Sequence, residues 1–189
     1  MKFHQYPQLV GTHAPYSASQ SAWLRYDETK AVRVHLKKKA AMRGTILHDW
    51  AQQTIKLGIK QPDSNKTLYA YVNDAIGFRM DTEVILYYSP RFYGTADAIS
   101  FRKINGRDIL RIHDLKTGEE PVSMDQLKVY AAFFCLEYKV KPQDIDIELR
   151  IYQNNKVVYC NPTAEEIQSI MDFVVARDKL LDKVDNEEE

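Results

Sequence analysis

The run Ile109-Leu110-Arg111-Ile112-His113-Asp114-Leu115-Lys116-Thr117-Gly118 passes from an apolar-rich strand pattern into a carboxylate and an ammonium two residues apart. Strand side chains repeat every second residue, so Asp114 and Lys116 project from one face and His113 from the other. The neighbours of Asp114 on its face, Ile112 and Leu110, are apolar, and a carboxylate among them is costly to bury without a partner. Upstream, Gly94-Thr95-Ala96-Asp97-Ala98-Ile99 sets a second carboxylate in an otherwise apolar-to-neutral stretch. If the two strands pair, two carboxylates and an ammonium meet. Clustered oxygen donors suit Mg2+ or Mn2+ and a nearby ammonium suits a phosphate, so the set fits metal-assisted phosphodiester hydrolysis. Downstream, Gln126 and Tyr130 share one helix face at i and i+4.

In order, Gly94-x-x-Asp97, Asp114-x-Lys116-Thr117-Gly118 and Gln126-x-x-x-Tyr130 resemble the core motifs of the PD-(D/E)XK nucleases, within them the RecB-like exonuclease branch. The resemblance extends upstream to Gly44-Thr45-Ile46-Leu47-His48, similar to that branch's Gly-Thr-x-x-His helix, and to Glu83 on the strand before Gly94. It covers roughly residues 44 to 130. Any one motif is weak, since an Asp-x-Lys triplet is common and as a surface ion pair contributes little. The five pieces together imply an α/β restriction-endonuclease-like core, a mixed central sheet flanked by helices.

The resemblance also assigns roles. His48, Asp97 and Asp114 become metal ligands, Leu115 contributes its backbone carbonyl, and Glu83 is a further ligand or holds a metal-bound water. Without the resemblance, a lone histidine on an amphipathic helix is more often a packing residue. A free lysine has a pKa of ~10.4 and is no base at neutral pH, so Lys116 is expected to orient the attacking water and stabilise charge on the phosphate. Its alternative is a plain ion pair with Asp114. Gln126 is implied as a substrate contact or a support for the ligands, and Tyr130 as an orienting group. Gly118 is expected to permit a backbone conformation that other residues resist in the turn after Lys116. His113 faces away, and His4, His13 and His35 have no supporting context.

A chain of 189 residues, 44% apolar and 28% charged, can bury one sizeable core, so a single domain over 1–189 is the expectation. Within it, 1–80 reads as helical, 82–160 as the catalytic sheet with a central helix, and 163–184 as a closing helix. No apolar run approaches the ~20 residues that span a bilayer, and Met1-Lys2-Phe3-His4-Gln5-Tyr6-Pro7 lacks the apolar segment of a signal peptide; the expectation is a cytoplasmic protein with no membrane partner. Cys135 and Cys160 are too few for the four-cysteine iron-sulfur cluster that some RecB-like relatives carry, and none is expected. Net charge is zero. The distribution is uneven: Lys30, Arg33, Lys37, Lys38, Lys39 and Arg43 form a basic stretch with no acidic residue, while Asp182 to Glu189 is mostly acidic. The former suits a phosphate backbone or is a solvated helix face, and the latter reads as a frayed end.

Periodicity supplies the elements. A short helix is expected from Ser17 through Leu24, a helix from Gly44 to Leu57 closed by Gly58, and another from about Asn65 to Gly77. Glu83–Tyr88, Phe92–Phe101 and the run into Leu115 read as three strands, with Asn105-Gly106 a tight hairpin signal. Ser123–Tyr138 reads as a helix, Ile145–Tyr152 and Lys156–Cys160 as strands, and Thr163-Ala164-Glu165-Glu166 as a capping box opening a long helix. By itself this order establishes only α/β.

Together these readings predict a metal-dependent DNA nuclease, an exonuclease of recombination, repair or phage DNA metabolism, with Mg2+ or Mn2+ as cofactor and DNA as partner. The alternative is a non-catalytic nucleic-acid- or protein-binding member of the same fold.

Overall fold

The computed structural model describes residues 4–12 and 14–187, so His13 and the end of the acidic tail, Glu188 and Glu189, lie outside the described residues. The chain divides into two compact units, Met1–Thr45 and Ile46–Glu189. Among the described residues no helix is long and apolar enough to cross a membrane.

The first unit holds 3-10 helices at Pro7–Leu9 and Ala18–Arg25 and the opening turns of α1, Glu28–Lys56. The short helix expected after Ser17 is therefore 3-10, with a non-helical break at Gln20. α1 starts sixteen residues before the expected Gly44. Asp27 Oδ1 accepts from the Lys30 backbone N–H at 2.7 Å and opens the helix, and the Lys, Arg and Ala residues that follow are good helix formers. Gly44, which reads as a boundary, sits inside the helix at a cost of about 1 kcal/mol relative to Ala. Aromatic rings in this unit carry cations: Lys30 Nζ lies 4.6 Å from the Tyr26 ring and Lys38 Nζ 5.4 Å from that of Tyr16.

The second unit is α/β. After α1, which ends in a left-handed Gly58 with Gly58 N–H donating to Ile55 O and Ile59 N–H to Thr54 O, come α2 (Thr67–Gly77) and three strands. These are β1 (Asp81–Ser89), β2 (Phe92–Ile104) and β3 (Arg107–Leu115). α3 (Asp125–Tyr138) crosses over to β4 (Ile145–Gln153), β5 (Lys156–Cys160) follows, and α4 (Ala164–Glu187) closes the chain. The strands lie in the order β1-β2-β3-β4-β5, antiparallel except for the parallel β3–β4 pair that the α3 crossover permits.

Turn chemistry sets the register. Asn105 and Gly106 both have positive φ, 50° and 86°, as a two-residue hairpin loop demands, and Ile104 pairs with Arg107 across it. Asn154 and Asn155 do the same between β4 and β5. On one face of the sheet Leu110, Ile112, Leu149 and Ile151 pack with Leu127, Ala131 and Phe134 of α3 and Ile167 and Val174 of α4. On the other, Ala98, Leu115 and Tyr152 pack with Ala51 and Ile55 of α1 and Tyr71, Val72 and Ala75 of α2. The capping box of α4 is made in both directions: Glu166 N–H donates to Thr163 Oγ1 at 3.2 Å and Thr163 N–H to Glu166 Oε2 at 2.9 Å.

The acidic end is not frayed over its described length. Arg91, in the β1–β2 turn, pairs with Asp178 at 2.9 Å, with Asp182 at 2.7 Å and with Asp185, so carboxylates one helical turn apart converge on one guanidinium.

Candidate metal centre

The site is built in the second unit, where β2 and β3 pair as far as Ala98 and His113. Glu83 stands opposite Asp97, between the paired positions Thr82↔Ala98 and Val84↔Ala96. Its φ is +53°, a left-handed conformation that costs a non-glycine residue roughly 1–2 kcal/mol and interrupts the regular pleat. One ligand atom each from His48, Glu83 and Asp97 lie within 4.8 Å of one another. His48, on the last turns of α1, brings Nδ1 to 3.5 Å from Asp97 Oδ2. The same Oδ2 accepts the Leu115 backbone N–H at 2.9 Å.

Asp114 and Lys116 share a face and pair, with Nζ 3.1 Å from Oδ1 and 3.0 Å from Oδ2. Oδ2 is buried and receives no well-directed hydrogen bond despite that short distance, which leaves a lone pair of a buried carboxylate open. Lys116 Nζ also donates to Gln126 Oε1 at 2.9 Å, and Gln126 Nε2 donates to Tyr130 Oη at 3.0 Å. Tyr130 in turn lies on Gly94, where an added Cβ would sit 2.8 Å from its ring. Only glycine allows that approach. The strand carrying Asp97 and the helix carrying Gln126 are thereby locked together.

Three carboxylates face one ammonium here, and the imbalance is felt at Asp97. Burial first, then repulsion from Asp114, pushes its carboxyl up to about 6, although the Leu115 N–H and His48 oppose the shift. A phenol absent from the sequence reading also belongs here. Tyr71 of α2 is buried, and burial together with Asp97, Asp114 and Glu83 holds its hydroxyl well above the usual range, hence neutral. A tyrosine at a core-facing helical position carries no signal that separates it from packing.

Of the sequence-expected residues, His48, Glu83 and Asp97 come together as a group that could hold a metal ion, and Asp114, Lys116, Gln126 and Tyr130 form a separate polar chain. Leu115 enters through its N–H, with its side chain buried against α1 and α2. Gly118 departs from expectation: its backbone is not left-handed and a Cβ there would meet nothing within 4 Å. The turn is held instead by Gln153, whose Nε2 donates to Gly118 O at 2.6 Å and Glu120 O at 2.9 Å. His113 points to the opposite face, fully buried against Tyr152 and Phe78, and burial with Arg150 and Arg111 nearby lowers its pKa to about 3.

A nitrogen and carboxylate oxygens this close suit a divalent ion such as Mn2+ or Mg2+, which would relieve the repulsion among the carboxylates. A cleft of about 400 Å³ opens at the other end of β3 and β4, between Arg107, Asp146, Asn161 and Pro162, and touches none of these residues.

No protein-family model matches the chain, and no curated protein matches it. A solved structure titled "Crystal structure of SSO0001" is similar at 16% identity with a TM-score of 0.37, over 82% of this chain and 69% of that one.

Proposed function

We propose that this chain is a divalent-metal-dependent deoxyribonuclease on a PD-(D/E)XK core, of the RecB-like exonuclease kind. The observation that carries the reading is the convergence of His48, Glu83 and Asp97, whose ligand atoms lie within 4.8 Å of one another, with Asp97 bonded to the Leu115 N–H between buried Asp114 and its partner Lys116. His48, Glu83 and Asp97 would hold the ion, with Asp114 and the Leu115 carbonyl as the remaining donors that the motif resemblance supplies. When bound, the ion lowers the pKa of water and neutralises charge on the scissile phosphate.

The protein's own groups position that chemistry. Lys116, held between Asp114 and Gln126, presents an ammonium that orients the attacking water and donates to a phosphate oxygen as charge grows there. Gln126 fixes the lysine and Tyr130 fixes Gln126, which in turn depends on Gly94. Tyr71 stays a neutral phenol against the carboxylates.

The test is digestion of end-labelled linear and covalently closed circular DNA, single- and double-stranded, with Mg2+, Mn2+ or EDTA. Metal-dependent loss of linear DNA alone, absent in Asp114→Ala, supports an exonuclease at this site. Full activity in Asp114→Ala, or no cleavage of any substrate, overturns the reading in favour of a binding protein on this fold.

A further inference from the structure

Tyr87 and Tyr93 face each other across the β1–β2 ribbon as register partners, with ring centroids 6.3 Å apart and planes 29° from parallel. They are 46% and 61% exposed, and Ile85, paired with Thr95 one step nearer the metal site, is 61% exposed. Their neighbours Val84, Leu86, Tyr88 and Phe92 pack into the core beneath α3 and α4, so the exposed set occupies the other face of the ribbon. The cluster that covers that face, under α1 and α2, includes no residue of β1 among the described residues. Two large flat rings and an aliphatic side chain therefore stand in solvent together, in contrast to the scattered apolar residues normal for a surface.

The ribbon continues from this patch into the proposed ligand set. Glu83 and Asp97 lie opposite each other four residues along each strand from the tyrosines, about 13 Å at ~3.3 Å per residue. Strand addition by another chain does not explain the patch: at Tyr87 the free edge is closed by α3, whose Glu137 Oε2 accepts the Tyr87 backbone N–H at 2.8 Å. Among the described residues, no hydrogen bond or ion pair engages either tyrosine ring.

We propose that Tyr87 and Tyr93 form a stacking platform for the bases of a single-stranded nucleic-acid segment lying along the β1–β2 ribbon, on its way to the ligand set at Glu83 and Asp97. Exposed aromatic rings bind bases through their faces without sequence preference. A duplex keeps those faces stacked on one another, so the platform selects unpaired nucleotides. The destination of the strand rests on the nuclease reading above, whereas the stacking itself does not.

The experiment is fluorescence anisotropy with a labelled (dT)12 oligonucleotide and a blunt duplex of equal length, in EDTA so that nothing is cut. The proteins are wild type, Tyr87→Ala/Tyr93→Ala, Tyr93→Ala alone in case the double variant does not fold, and Tyr87→Phe/Tyr93→Phe. The expected result is preferential binding of (dT)12, at least tenfold weaker in the double alanine variant, clearly weaker in Tyr93→Ala, and within about twofold of wild type in the phenylalanine variant. Unchanged binding in folded alanine variants, with at most a lower melting temperature, overturns the platform and makes the pair a hairpin-stabilising contact. Absence of (dT)12 binding by wild type also overturns it, while Asp114-dependent cleavage of duplex DNA would leave the nuclease reading standing. Tyrosine-dependent binding with no cleavage of any DNA supports the platform and removes the nuclease reading.

Discussion

The Leu115 N–H donates to Asp97 Oδ2 at 2.9 Å, beyond the last paired residues of β2 and β3, Ala98 and His113. Asp97 thus replaces the next ladder bond with its own side chain. One carboxylate oxygen ties the strands together and stands 3.5 Å from His48 Nδ1.

Burial and repulsion from Asp114, which outweigh the Leu115 N–H and His48, make Asp97 pH-sensitive. Its carboxyl is raised to about 6 in the folded protein from ~3.9 when unfolded, so between these values the folded state binds the extra proton and metal-free stability falls as pH rises. The loss is on the order of 3 kcal/mol at 1.36 kcal/mol per pKa unit. Melting temperatures in EDTA should show it, and Asp97→Asn should remove it. A divalent ion competes with the proton, so the Mn2+-induced rise in melting temperature should grow from pH 5 to 7 in wild type and be lost in Asp97→Asn. A pH-independent Mn2+ effect would place the ion elsewhere.

Lys116→Met removes the one ammonium that pairs with Asp114 among the described residues and leaves that carboxylate buried and unpaired. Cleavage should fall at least about 10²-fold, as for removal of one preorganised donor, and urea unfolding should show a loss of about 1–3 kcal/mol. Mn2+ should still raise the melting temperature, because His48, Glu83 and Asp97 remain.

Gly94→Ala drives a methyl group into the Tyr130 ring. Overpacking of this kind costs about 1–3 kcal/mol, and displacement of Tyr130 should release Gln126 and lower cleavage. In a Tyr130→Ala background the same substitution should cost little. A double-mutant cycle of unfolding free energies measures the difference, and additive losses would refute the contact as the cause.

His113 acts with the opposite sign to Asp97. Its pKa is lowered to about 3 by burial and by Arg150 and Arg111, so below ~6.5 the unfolded state binds the proton that the folded state refuses, and stability falls as pH drops. The effect approaches an order of 4 kcal/mol near pH 3. His113→Gln should flatten the acid limb of the melting-temperature profile, and Asp97→Asn should steepen it.

Much of the fold was legible because its signals are local. Asn105-Gly106 demands two positive φ values, Thr163-x-x-Glu166 makes its own reciprocal hydrogen bonds, and alternation along Ile109–Leu115 sets which side chains face together. The start of α1 was misread because Gly44 looks like a breaker. The site was legible in the same measure: Asp114 and Lys116 meet because a strand repeats every two residues, and Gln126 and Tyr130 because a helix brings i and i+4 together.

The sequence by itself determined the residues available for chemistry and their local faces, since dihedral preference and side-chain period act over a few positions. Only the tertiary structure decided that Glu83 takes a left-handed backbone opposite Asp97, that Tyr71 joins the carboxylates from α2, that Arg91 gathers Asp178, Asp182 and Asp185, and that Ile85, Tyr87 and Tyr93 stay in solvent together. The first three of these relations join residues 12 to 94 positions apart, and what sets them all is strand register and the packing of helices on the two faces of the sheet, which no short window of sequence contains.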